Sequence, residues 1–243
     1  MRPSGQCGWH RERDMSLGPI YATSRAIVYV YARAMLRLDV FWKAPPPTGP
    51  MLVVANHPSC SDPVFLPLLF RQRVRMLITE NAFSVPVIGS YLRRLGHLPV
   101  MPDNGRVALE AARGLLESGA TVALFPEGRL SPRRGGLRQP RTGAARLAML
   151  TGVPVVPMGI YLAREHNHAI VSAVTGKRTV GYWYMRGPYN VTVGAAMQFE
   201  GDPGHKQEVA SVSDALMRQI AELSLESERR AKADSPFSFQ ERA

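Results

Sequence analysis

The chain has 243 residues, of which 45% are hydrophobic, so it can form one domain with a full core and cannot be disordered throughout. Its formal net charge of +11 indicates an anionic partner: nucleic acid, an anionic membrane or a phosphorylated substrate. The two cysteines, Cys7 and Cys60, lie far apart. This spacing argues against a disulfide framework or a cysteine-based zinc site and fits a reducing compartment.

The N-terminal segment predicts a helix over residues 21–38. Its apolar positions, among them Ile27, Tyr31 and Leu38, fall on one stripe, and arginines lie between them. We expect an amphipathic helix that lies on an anionic membrane surface. The alternative is a helix packed on the domain. No apolar run reaches the roughly 18 residues that a membrane-spanning helix needs.

Further along the chain, short apolar runs of strand type alternate with segments of helical pattern. This alternation predicts an α/β fold with a mostly parallel central sheet flanked by helices. Residues 1–49 are expected to form an N-terminal segment that ends in a proline-rich linker, residues 50–225 the main domain, and residues 226–243 a charged flexible tail. The strands are expected at residues 51–55, 74–79, 121–125, 153–162 and 189–193, and the helices at residues 62–70, 84–95, 104–119, 142–150 and 209–223.

A histidine and an aspartate, His57 and Asp62, follow the first of these strands. At this spacing the carboxylate can hold one imidazole nitrogen and leave the other free to take a proton from a hydroxyl. The alternative is that Asp62 only caps a helix. Glu127 follows another predicted strand. Because ligands gather at the carboxyl ends of parallel strands, His57 and Glu127 are expected at the same edge of the sheet.

Three segments carry a resemblance to a known family. They read Asn56-His57-Pro58-Ser59-Cys60-Ser61-Asp62, then Phe125-Pro126-Glu127-Gly128-Arg129-Leu130-Ser131, then Val153-Pro154-Val155-Val156-Pro157. With these motifs in this order and at these intervals, the chain resembles the 1-acylglycerol-3-phosphate acyltransferase family, within the wider glycerolipid acyltransferases. The resemblance extends from about residue 51 to residue 160.

The resemblance implies an enzyme that transfers a fatty acyl group from acyl-CoA or acyl carrier protein to the sn-2 hydroxyl of a lysophospholipid, with 1-acylglycerol-3-phosphate as the first candidate. It implies no metal or organic cofactor beyond the carrier of the acyl thioester. His57 is then the general base and Asp62 orients it. The enzyme is expected on the cytoplasmic face of a membrane, peripheral or monotopic, with an anionic membrane surface as partner. Nucleic acid is not expected, because no aromatic residues are interleaved with the arginines.

The substrate-binding residues are expected in and after the second motif. Glu127 lies in a tight turn, where its carboxylate can bind a glycerol hydroxyl or order the loop that follows. Residues 128–164 contain seven arginines and no acidic residue, and arginine suits phosphate geometry. We expect Arg129 and Arg141 to bind the acceptor phosphate; the alternative is a solvated basic loop. Backbone N–H groups at Gly128, or at the helix start after the first motif, could hold the oxyanion.

Two departures from the family pattern leave the acceptor open. The family has Thr-Arg where this chain has Arg129-Leu130, and it has an arginine where this chain has Pro102, with Arg106 as the nearest basic residue beyond. The acceptor could therefore be another lysolipid or a lipid amino alcohol. Two further alternatives are a non-catalytic basic protein that binds an anionic membrane, and a hydrolase in which Cys60 carries the acyl group.

Overall fold

A computed structural model of the chain describes residues 18–85, 88–101, 104–172 and 179–233. Its strands are β1 (Leu36–Trp42), β2 (Leu52–Ala55), β3 (Val74–Thr79), β4 (Leu98–Val100), β5 (Thr121–Leu124), β6 (Val155–Leu162), β7 (Asn167–Ser172), β8 (Thr179–Tyr184) and β9 (Gly187–Val193). Its α-helices are α1 (Gly18–Met35), α2 (Asp62–Phe65), α3 (Glu80–Phe83), α4 (Ile88–Arg94), α5 (Gly105–Glu117), α6 (Gly143–Thr151) and α7 (Lys206–Ala233). Two short 3₁₀ helices cover Leu66–Leu69 and Arg164–His166.

Seven strands form a central sheet in the order β1-β9-β6-β2-β5-β3-β4. From β6 to β4 all neighbouring strands are parallel. Strand β9 pairs antiparallel with β6, and β1 pairs parallel with β9. The predicted α/β fold with a mostly parallel sheet is therefore confirmed. Strands β7 and β8 form a separate antiparallel hairpin, which the sequence pattern did not predict.

The two faces of the sheet bury two hydrophobic clusters. Strand β2 contributes to both clusters, because its side chains alternate between the two faces of the sheet. Val53 and Ala55 pack in one cluster, and Leu52 and Val54 pack in the other. All four are fully buried. The first cluster lies under α1 and α2, and the second under α5, α6 and α7. Burial of each large side chain contributes about 1.5–3 kcal/mol, which fixes β2 at the centre of the sheet.

The N-terminal region differs from the prediction. The helix expected over residues 21–38 ends at Met35, and Leu36–Trp42 forms the edge strand β1. Leu38, Val40 and Trp42 pack on the core, with the intervening side chains facing away, so the segment has the period of a strand. Strand β1 therefore belongs to the central sheet, although it lies in the segment expected to precede the main domain.

The C-terminal region also differs from the prediction. Residues 226–233, expected in a flexible tail, continue helix α7 to Ala233. The hydroxyl of Ser227, which is fully buried, donates to the carbonyl of Gly159, and Arg230 donates to the carbonyl of Val191. These contacts fix the last turns of the helix on the sheet. The rest of the predicted tail, residues 234–243, lies outside the described residues.

The helix predicted over residues 84–95 is present only in part. Ser84, the expected N-cap, instead follows helix α3, and its backbone N–H donates to the carbonyl of Asn81. The next described helix is α4, which ends at Arg94 and is followed by Gly96 at a φ of +72°. This conformation favours glycine and ends the helix as predicted.

Candidate active site

The ends of β2 and β5 bring the first two sequence motifs together. The two strands are neighbours and run parallel, so their carboxyl ends lie at the same edge of the sheet. The backbone N–H of His57 donates to Oε1 of Glu127 over 3.2 Å. The backbone N–H of Ser131 donates to the carbonyl of His57 over 2.8 Å. The structure thus places His57 and Glu127 side by side, as predicted.

His57 and Asp62 form a hydrogen-bonded pair. Nδ1 of His57 lies 2.9 Å from Oδ2 of Asp62. A carboxylate can only accept, so Nδ1 carries the proton in the neutral ring and Nε2 has a free lone pair. The imidazole ring stacks on Phe125 with ring centroids 3.9 Å apart. The His57 side chain is 16% exposed and that of Asp62 is 0% exposed, so another molecule can reach the imidazole but not the carboxylate.

Three groups hold the carboxylate of Asp62. Besides His57, the backbone N–H of Ser59 donates to Oδ2 over 2.8 Å, and the hydroxyl of Tyr189 donates to Oδ1 over 2.8 Å. Burial, together with the charge of Asp62, raises the pKa of Tyr189 well above its ordinary value, so this hydroxyl stays a donor. Sequence reasoning placed Tyr189 in a strand but missed this contact, because no local pattern links β9 to the first motif.

Strand β8 clamps the turn between His57 and Asp62. The hydroxyl of Ser59 donates to the carbonyl of Tyr182, and the hydroxyl of Ser61 donates to the carbonyl of Tyr184. The backbone N–H of Tyr184 lies 3.0 Å from both hydroxyl oxygens. Both serines are buried. The hairpin therefore fixes the geometry of the turn between His57 and Asp62.

Glu127 is 2% exposed and orders the basic loop. Its Oε1 accepts from the hydroxyl of Ser131 and from the backbone of His57, and its Oε2 accepts from the backbone N–H of Arg138 over 2.8 Å. Of the two roles considered for this carboxylate, the structure directly provides the ordering one. Its binding of a substrate hydroxyl stays a prediction.

Gly128 and Arg141 lie against each other next to Glu127. Gly128 has a φ of +64°, and a Cβ atom there would lie 2.6 Å from Nε of Arg141. Glycine is therefore required both for the turn and for the approach of the arginine. Arg129 continues the same turn, and both arginines are exposed. The backbone N–H of Gly128 already donates to the carbonyl of Phe125, so an oxyanion would need other donors.

A cavity of about 540 Å³ opens beside the turn between His57 and Asp62, at Asn56 and Pro58. Its walls come from the loop over residues 130–140, the end of β6, strand β8 and the outer face of α7. We call it the α7 cavity. Arg129 and Arg141 do not line it, although their chain neighbours Leu130 and Pro140 do.

Two predicted features lie elsewhere or outside the described residues. Pro102 is not among the described residues, whereas Arg106 is exposed at the start of α5.

Burial, and next the charges of Arg73 and Arg75, lower the pKa of His97 to about 4. Its Nδ1 accepts from the backbone N–H of Met76 over 3.0 Å, so it is a structural histidine. The described part of the chain contains no cluster of His, Cys, Asp and Glu that could hold a metal ion.

Cys60 faces strand β8. Its backbone N–H donates to the carbonyl of Tyr182 over 2.7 Å, and a Cβ atom at Gly181 would lie 3.1 Å from its sulfur. Burial raises the pKa of the Cys60 thiol, which disfavours the thiolate that a nucleophile needs.

We therefore expect Cys60→Ala to keep most of the acyl transfer activity expected from the sequence, within about threefold of the parent, since it removes one small, half-buried group. Mass spectrometry after mixing the parent protein with acyl-CoA alone checks the same point. An acyl adduct on Cys60 would revive the covalent mechanism.

The site combines a buried carboxylate, a partly exposed histidine that it orients, and a neighbouring turn rich in arginine. This arrangement suits general-base catalysis, in which the imidazole takes the proton of an attacking hydroxyl. Residues 38–161, just over half of the chain, match the family described as Acyltransferase. The chain belongs to this acyltransferase family.

Individual relatives agree with this assignment. The chain is 35% identical over 112 residues to a chloroplastic 1-acyl-sn-glycerol-3-phosphate acyltransferase of Brassica napus. The aligned region covers 45% of this chain and 32% of that protein. It is also 35% identical over 120 residues to a 1-acyl-sn-glycerol-3-phosphate acyltransferase of Chlamydomonas reinhardtii. That aligned region covers 47% of this chain and 35% of that protein. The chain thus spans about a third of the length of these relatives.

The fold is also similar to that of a solved structure. The 1-acyl-sn-glycerophosphate (LPA) acyltransferase PlsC from Thermotoga maritima matches with a TM-score of 0.60 and 22% identity. The match covers 91% of this chain and 84% of that one. It supports the α/β architecture, and with the family match it confirms the resemblance that the three motifs carry.

Proposed function

We propose that this acyltransferase moves a fatty acyl group from acyl-CoA or acyl carrier protein to the sn-2 hydroxyl of a lysophospholipid, with 1-acylglycerol-3-phosphate as the first candidate, in phospholipid biosynthesis. The observation that carries the proposal is the His57–Asp62 pair, with Nε2 of His57 free at an accessible edge. The exposed arginines Arg129 and Arg141 lie in the turn beside it. The Brassica napus and Chlamydomonas reinhardtii relatives carry the name of this activity.

The chemistry needs no covalent enzyme intermediate. Nε2 of His57 takes the proton of the acceptor hydroxyl as its oxygen attacks the thioester carbonyl. The tetrahedral oxyanion then collapses, the C–S bond breaks, and the leaving thiolate takes the proton from the imidazolium. Asp62 stabilises the imidazolium and keeps the ring in its productive tautomer. The product is an ester, and the other product is a free thiol.

The acceptor phosphate is proposed to bind Arg129 and Arg141. Truncating either to alanine is expected to cost about 1.5–3 kcal/mol of acceptor binding, since each loses hydrogen bonds to a charged group. The loss should appear mainly in KM for lysophosphatidate and much less in KM for the acyl donor. A monoacylglycerol, which lacks the phosphate, should be a poor substrate and should suffer little further from either change. Steady-state kinetics of the parent and both variants with the two acceptors is the measurement.

An alternative acceptor remains of interest because of Leu130. The family has an arginine at this position, whereas Leu130 is half-buried and its carbonyl accepts from Nε of Arg138. Another lysolipid or a lipid amino alcohol could therefore replace lysophosphatidate. If the parent protein uses the phosphate-free acceptor as well as lysophosphatidate, the arginine turn is not an acceptor phosphate site and this alternative is favoured.

Helix α1 is proposed to place the enzyme on an anionic membrane surface, at the cytoplasmic face. Its inner face packs on the domain through Val28 and Ala32, while Ile27 and Val30 on the outer face are 65% and 66% exposed. An exposed apolar face on a chain of net charge +11 suits an anionic lipid surface. Among the described helices, none is long and apolar enough to cross a bilayer.

We expect the double substitution Ile27→Asp with Val30→Asp to reduce sedimentation with anionic liposomes at least tenfold, because it puts two charges on the lipid-facing side. Point substitutions are used because a deletion of the N-terminal segment would also remove β1 from the sheet. Val107→Asp is the matched control, because Val107 is a 59% exposed valine on α5. Equal sedimentation of the double variant and the control would show that α1 only packs on the domain.

A further inference from the structure

The hydroxyl of Tyr189 is a buried polar group that the chemistry described above does not use. Tyr189 is 1% exposed, so neither solvent nor a substrate reaches it. Its hydroxyl donates to Oδ1 of Asp62 over 2.8 Å, and the two residues lie 127 positions apart in the chain. A hydrogen bond to a carboxylate is stronger than one between neutral groups. This contact therefore links the interior of the sheet to the carboxylate that orients His57.

The sheet and the core hold the side chain of Tyr189 at both ends. Strand β9 lies between β1 and β6, and Tyr189 is paired with Leu38 on one side and with Leu162 on the other. The ring packs edge-to-face on Phe65, with ring centroids 5.6 Å apart. Phe65 ends helix α2, which begins at Asp62. The backbone and the ring are thus both fixed, and the hydroxyl has one defined position beside the carboxylate.

The three donors to the Asp62 carboxylate come from different parts of the fold. Nδ1 of His57 and the backbone N–H of Ser59 both contact Oδ2, and both belong to the turn that ends at Asp62. Tyr189 contacts Oδ1 and comes from the central sheet. The first two donors can move together with the carboxylate, whereas Tyr189 holds the other oxygen against the sheet. With both oxygens bound, the carboxylate plane has one orientation, and this orientation decides where the imidazole points.

Two other roles for this hydroxyl do not fit its surroundings. A proton relay needs a hydroxyl that ionises, whereas burial, and next the charge of Asp62, raise the pKa of Tyr189 well above its ordinary value. A role in packing alone needs only the ring, which phenylalanine also supplies. The hydroxyl instead provides a partner for a carboxylate oxygen in a fully buried position, where an unpaired oxygen is costly.

We infer that Tyr189 is a positioning residue for the base. Its hydroxyl fixes the plane of the Asp62 carboxylate, and the carboxylate in turn keeps the proton of the neutral His57 ring on Nδ1 and leaves Nε2 free. This role rests on the proposed acyl transfer and deepens it, because it names a group in the sheet on which the proton transfer depends.

Tyr189→Phe tests this role because it removes one oxygen and keeps the ring. We expect kcat for acyl transfer to fall about fivefold to tenfold, the effect of one hydrogen bond, with both KM values unchanged. The matched control is Tyr184→Phe, because Tyr184 is 0% exposed and its hydroxyl donates to the carbonyl of Pro188 instead. Its loss of kcat should be several-fold smaller at a similar loss of melting temperature.

The same substitution in the Asp62→Asn protein shows whether the effect passes through the carboxylate. In that background Tyr189→Phe should lower kcat less than about twofold, because the carboxylate through which it acts is already gone. Tyr184→Phe should have the same small effect in both backgrounds. If Tyr189→Phe lowers kcat about fivefold or more in both backgrounds, it acts independently of Asp62 and the positioning role is overturned.

Nuclear magnetic resonance of ¹⁵N-labelled histidine gives a readout that needs no turnover. Spectra at alkaline pH, where histidine rings are neutral, report the tautomer of His57. The fraction of the Nδ1–H tautomer should fall in Tyr189→Phe and stay at the parent level in Tyr184→Phe. Equal tautomer fractions and equal kcat losses in the two variants would show that Tyr189 only fills the core.

The kinetic and spectroscopic readouts separate this role from the proposed function. If the tautomer fraction falls only in Tyr189→Phe while the parent protein transfers no acyl group, the proposed function falls and the positioning of the imidazole stands. If the parent transfers acyl groups and Tyr189→Phe keeps both the Nδ1–H tautomer and the parental kcat, the positioning role is overturned and the proposed function stands.

Discussion

His57→Ala is expected to lower the rate of acyl transfer by about a hundredfold or more, the effect of losing a general base. The imidazole is the group placed to take the hydroxyl proton, with Nδ1 bonded to Asp62 and Nε2 free. The measurement is the transfer of labelled acyl groups from acyl-CoA to lysophosphatidate under saturating conditions. Both KM values should change little, because the ring is needed for proton transfer rather than for holding either substrate.

The control for this variant is His168→Ala, because His168 is an exposed histidine on β7. It should transfer at the rate of the parent. The melting temperature of His57→Ala should stay within a few degrees of the parent, since a partly exposed ring is removed. Near-parental turnover in a well-folded His57→Ala protein would contradict the proposed mechanism.

Asp62→Asn is expected to have a second large effect, also about a hundredfold or more in kcat. The carboxylate accepts from Nδ1 of His57, the backbone N–H of Ser59 and the hydroxyl of Tyr189. An amide has one oxygen and one NH₂ group, so it cannot accept from all three donors. When the NH₂ group faces His57, the ring is driven into the Nε2–H tautomer, which cannot take a proton from the acceptor.

The same substitution should destabilise the protein by about 1–3 kcal/mol, because it leaves a donor facing a donor in a fully buried position. Thermal unfolding measures this cost, and ¹⁵N-histidine spectra report the tautomer directly. A variant that keeps the Nδ1–H tautomer and the parental kcat would show that Asp62 has only a structural role.

The sequence was sufficient to predict the parts of the site that lie within single segments. The strands before His57 and Glu127 are short apolar runs, and the parallel pairing of β2 with β5 places their ends together. The order of the three motifs then indicates the family. Each of these inferences depends on neighbouring residues, whose pattern a sequence displays directly.

The contacts that complete the site come from distant parts of the chain and could not be predicted. Tyr189 reaches Asp62 only because β9 pairs with β6 in one register. The clamp on Ser59 depends on the hairpin of β7 and β8, whose pairing no local pattern specified. In β1, the apolar positions could be fitted to a helical stripe as well as to a strand, and only the pairing with β9 decides between them.

Product analysis with the purified protein, labelled acyl-CoA and a panel of lysolipids tests the proposed acyl transfer most directly. We predict release of the free thiol together with a diacyl product esterified at the sn-2 position, fastest with lysophosphatidate and much slower with a monoacylglycerol. If none of the acceptors leads to release of the thiol, while the protein still binds anionic liposomes, the proposed acyl transfer is contradicted. That result would favour a non-catalytic membrane-binding protein.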